Sequence, residues 1–77
     1  MISNKDVAKQ VEQTMRDCSA ALNESIKLVM EKCPEEEFKR YRRAVGGVMA
    51  EIYLEVMQPI HQRFPDLEPP ELNKDKS

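Results

Sequence analysis

At 77 residues and 8.9 kDa the chain holds one small domain, too short to bury a large core unless something staples or pairs it. A content of 40% hydrophobic and 34% charged residues with only two glycines fits a strongly patterned helical protein and excludes a disordered or fibrous one. A net charge of −2 and a pI near 5.4 argue against a dedicated nucleic-acid binder, and no apolar run is long enough to cross a bilayer, which argues against a membrane partner. Residues 1–6 lack a basic segment followed by an apolar stretch, so a cytoplasmic location is expected.

The first element is a helix over about 4–32. Ser3 or Asn4 supplies a side-chain acceptor for the free amides of the first turn, and Asp6 adds charge that suits the positive helix end. Apolar residues then recur in steps of three and four at Val7, Val11, Met15, Cys18, Leu22, Ile26, Val29 and Cys33. Lys5, Lys9, Glu12, Arg16, Glu24, Lys27 and Glu31 are assigned to the opposite, solvated face.

Lys32-Cys33-Pro34 is the single break. Pro34 cannot continue the first helix but suits the start of a second, over about 34–62, and Glu35, Glu36 and Glu37 load its first turn with favourable charge. So short a connection makes antiparallel neighbours, and the expected fold class is an all-α, antiparallel two-helix hairpin. Phe38, Tyr41, Val45, Val48, Ile52 and Val56 form a seam on the second helix, and Ala44, Met49, Tyr53, Met57 and Ile60 widen its apolar arc to about 220°. One partner helix cannot cover that arc, so dimerisation into a four-helix bundle is expected, with Val45, Gly46, Met49, Ala50, Tyr53, Met57 and Ile60 at the interface. Gly46-Gly47 weakens the helix, and Gly46 with Ala50 presents the small surface that lets another backbone come close.

The prolines at 59, 65, 69 and 70 end the helical domain at about residue 64 and leave residues 65–77 as an extended or disordered tail, from which Phe64, Leu67 and Leu72 can fold back.

Lys39, Arg40, Arg42 and Arg43 place four cations in five residues, a candidate patch for an anionic partner. Glu35 and Glu36, four residues ahead, are expected to neutralise Lys39 and Arg40, which favours a solvated, internally paired face. Arg42 is the exception, because its angle falls inside the apolar arc. Cys18 and Cys33 lie roughly 22 Å apart along one helix at about 1.5 Å per residue, too far to bridge, and are read as reduced thiols. Cys18 is assigned to the core, and the three glutamates after Cys33 discourage a reactive role there. His61 has no cysteine or carboxylate at metal-ligand spacing and is read as a surface residue. Met15, Met30, Met49 and Met57 lie at or near the seams and read as core filling. The hydroxyls of Thr14, Ser19, Ser25, Tyr41 and Tyr53 have no partner base in register, so no catalytic, cofactor or metal residue is assigned.

The sequence therefore points to a non-enzymatic protein acting through protein-protein contact as a homodimer. The alternatives are a monomeric regulator, adaptor or inhibitor that offers its apolar helix face to another protein, and a binder of hydrophobic ligands.

Overall fold

The computed structural model describes residues 2–68, which are helical with no strand among them. The first helix, α1, runs Lys5–Lys32, and Asn4 caps it by accepting a hydrogen bond from the Val7 amide at 3.1 Å. Its end is set by Pro34, which pushes the preceding residue out of the helical region. Cys33 is accordingly extended, at φ −123° and ψ 159°, while its amide still closes the last turn on the Val29 carbonyl at 2.9 Å.

The second helical run has three parts: α2, Glu35–Glu51; a π-helical segment, Ile52–Met57; and α3, Gln58–Arg63. Pro34 itself precedes α2 with φ −61°, and its carbonyl accepts the Phe38 amide at 3.0 Å. The π segment stands directly before Pro59, whose ring has no amide to donate and would press on the carbonyl four residues back. Widening the helix relieves that clash: the Gln58 amide bonds the Tyr53 carbonyl, five residues back.

The second run returns along the first, bringing Tyr41 to Ser25 near the turn and His61 to Glu12 near the open end. Ala8, Val45 and Ile60 are buried between the runs, and Val11, Met15, Leu22, Ile26, Val29, Phe38, Met49 and Ile52 are half-buried. The described chain measures 44 × 28 × 15 Å, so its thin dimension is about that of one helix with its side chains.

Three assignments of face need correction. The inward stripe of α1 is rotated toward Ala8, which leaves Val7 and Cys18 exposed. Glu12, assigned by periodicity to the solvated face, is 5% exposed; at about 100° per residue it lies within about 40° of Ala8, Ser19 and Ile26. His61, expected at the surface, is also 5% exposed. A uniform α-helix would put His61 about 160° from Val45, but the π segment acts as one inserted residue and turns the residues beyond it back by about 100°. Ile60 and His61 then straddle the inward direction.

The expected tail begins differently as well. Pro65–Leu67 form a 3-10 turn, closed by Leu67 N–H to the Phe64 carbonyl at 2.9 Å and Glu68 N–H to the Pro65 carbonyl at 3.1 Å. Pro65 suits the first position of such a turn because its φ is already fixed. The tail expectation for residues 69–77, including Leu72, lies outside the described residues.

Candidate functional site

The closest gathering of ionisable groups joins α1, α3 and the 3-10 turn. Glu12 is its centre. Its carboxylate accepts from Arg16 Nε at 2.7 and 2.6 Å and is bonded to His61 Nε2 at 2.9 Å. One helical turn brings Arg16 to Glu12, and 49 residues of chain, corrected by the π segment, bring His61. Arg16 also donates Nη2 to the Leu67 carbonyl at 3.2 Å, tying the C-terminal turn to the same cluster. Lys5 and Asp66 add an outer clasp at 2.6 Å, and hydrogen bonding from the Lys5 ammonium holds the Asp66 carboxyl below its ordinary value of 3.8.

The chemistry of this cluster is mutual satisfaction. Buried charge is tolerated when each lone pair and proton has a partner, and no buried side-chain nitrogen or oxygen among the described residues lacks one. No serine, threonine or cysteine is hydrogen-bonded to His61 among them, and they contain no group of three or more His, Cys, Asp and Glu able to hold a metal ion. The arrangement clamps α3 and the 3-10 turn to α1.

A second polar contact lies near the turn. Ser25 donates its hydroxyl to the Leu22 carbonyl at 2.6 Å, which leaves Oγ to accept from the Tyr41 hydroxyl at 2.8 Å. Tyr41 and Cys33 border an open concavity of about 530 Å³ whose rim includes Glu36, Glu37 and Arg40.

The four cations of α2 line a shallow concavity of about 540 Å³. Of the two ion pairs expected there, Glu35 with Lys39 forms at 3.3 Å and Glu36 with Arg40 does not. Arg42 lies over the Phe38 ring, 5.5 Å from its centroid, so its stem follows the seam while its head stays in solvent. Arg40 and Arg43 make no ion pair among the described residues.

The seven residues assigned to a dimer face do not stay together. Val45 and Ile60 are buried within the chain, Met49 and Met57 are half-buried, and Gly46, Ala50 and Tyr53 face solvent. A Cβ added at Gly46 or Gly47 would meet nothing within 4 Å, and neither glycine has a positive φ. Spacing alone does not reveal the buried Glu12–His61 pair, because its signal depends on a change of helical register at which only the proline at 59 hints.

No helix among the described residues is long and apolar enough to cross a membrane. Compared with protein-family models, curated proteins and solved structures, the chain matches none of them.

Proposed function

We propose that the protein is a non-enzymatic interaction module, a helical hairpin that pairs with a second copy of itself into a four-helix bundle. One observation carries this reading. The described chain is a single layer of helices 15 Å thick, and stable domains bury their apolar faces between at least two layers. Leu28, Met30, Val48 and Leu54 are each at least half exposed, and Val7 and Tyr53 more than a third. A second layer would cover part of that surface.

The face available for it is the solvent side of α2, where Gly46, Gly47 and Ala50 permit a close approach beside Tyr53 and Leu54. Val45 and Ile60, which serve the chain's own core, drop out of that face. Sedimentation equilibrium at micromolar concentration is the test: a mass of twice 8.9 kDa supports the dimer, and a mass of 8.9 kDa refutes it.

A further inference from the structure

The solvent side of the second run carries a row of residues four apart whose charges are antisymmetric about a glycine. Lys39 and Arg43 precede Gly47, and Glu51 and Glu55 follow it. All five are exposed. Arg43, Glu51 and Glu55 have no ion-pair or hydrogen-bond partner among the described residues, and Lys39 touches Glu35 across open solvent at 3.3 Å.

No contact among the described residues accounts for this row. Like charges four apart on a helix repel, and here they adjoin twice, Lys39 beside Arg43 and Glu51 beside Glu55. Gly47 weakens the helix further while leaving empty the space a side chain would fill. Turned by half a rotation about an axis through Gly47, however, the row becomes its own complement. Arg43 then faces the partner's Glu51, the two glycines meet at the crossing, and Lys39 lies toward the partner's acidic half, where Glu55 belongs to the π segment.

We infer that α2 crosses α2 of a second copy antiparallel over this row, with Gly47 at the two-fold axis and reciprocal Arg43–Glu51 contacts, Lys39 and Glu55 extending the same charge pattern on either side. A glycine at the crossing lets the two backbones approach closely, and the exposed side chains on either side of it reach across. The charges fix direction and register more than they add affinity. This pairing names the contact of the proposed dimer and rests on it.

Charge reversal on the full-length chain tests it, read by sedimentation equilibrium with circular dichroism as the check on folding. Arg43→Glu and Glu51→Arg each turn two attractive contacts repulsive in their own homodimer, so each dissociation constant is expected to rise about tenfold or more, with helicity unchanged because both side chains are exposed. Mixed one to one, the two variants regain opposite charges at both contacts, and a heterodimer within about threefold of the original affinity is expected. A wild-type chain that sediments as a monomer overturns the dimer and this pairing together. A dimeric wild type whose variants remain equally tight, or whose mixture is not rescued, leaves the dimer standing and removes this row as its contact.

Discussion

Glu12 holds two nitrogen-bearing side chains, and the buried one, His61, would be stranded without it. His61 is 5% exposed and bonded to Glu12 at 2.9 Å, while Arg16 uses its Nε on the same carboxylate. Removing one member of a buried ionic group costs more than the group contributes, because what remains is desolvated and unpaired. Glu12→Leu is therefore expected to lower stability by on the order of 3 kcal/mol, whereas adding His61→Phe to it recovers most of the loss. Urea unfolding of the two variants at one protein concentration checks this; equal midpoints for Glu12→Leu and the unmodified chain would show that the cluster is dispensable. The glycines behave oppositely. Within one chain a Cβ at Gly46 meets nothing within 4 Å, so Gly46→Ala is expected to stabilise the monomer by about 1 kcal/mol through helix propensity, seen as a higher urea midpoint at protein concentrations too low for self-association.

Among the elements, the π segment Ile52–Met57 decides which residues of the chain end face inward. It amounts to one residue more than an α-helix needs, so deleting one exposed residue from it should restore a continuous helix with Ile60 and His61 still turned toward α1. Deletion of Leu54, which is 54% exposed, is expected to leave the His61 imidazole signals in nuclear magnetic resonance close to those of the parent while lowering the urea midpoint, by on the order of 3 kcal/mol of stability, because Pro59 then presses on the carbonyl four residues back. A deletion that frees His61 into solvent would show that the segment does not set the register. The same segment divides what is legible in the sequence from what is not. The two helices, their caps and the break at Pro34 follow from local spacing and proline chemistry, and their ends are legible to within a residue or two. Glu12 and His61 are not, because uniform periodicity carried past Pro59 puts His61 on the wrong side. The row from Lys39 to Glu55 is present in the sequence too, but pairing each cation with the nearest upstream glutamate conceals it.

The 3-10 turn at Pro65–Leu67 depends on two tethers, Arg16 to the Leu67 carbonyl and Lys5 to Asp66. Asp66 binds its proton less tightly folded than unfolded, so the Lys5 clasp stabilises the turn fully above the ordinary carboxyl value of 3.8 and is lost as pH falls through the lower folded value. Both partners are more than half exposed, so salt weakens the clasp as well. Lower protection of the Leu67 and Glu68 amides, as exchange relative to the intrinsic rate at the same pH, is expected below about pH 4, and Lys5→Ala should lower it already at neutral pH. Unchanged exchange in Lys5→Ala would leave Arg16 as the only tether that matters.

For the molecule as a whole, the question is whether folding and association are one event. Only Ala8, Val45 and Ile60 form a buried apolar core among the described residues. If, as proposed, a second copy covers a single layer so lightly filled, the contact supplies much of the stability and mass action links the melting temperature to concentration. Unfolding enthalpy of about 0.7 kcal/mol per residue gives about 100 kcal/mol for two chains, so each tenfold rise in concentration should raise the midpoint by about 5 °C. Calorimetric scans between about 5 and 500 μM resolve such a shift easily. A midpoint independent of concentration would mean that the layer stands alone, and the exposed Leu28, Met30, Val48 and Leu54 would then belong to no self-contact.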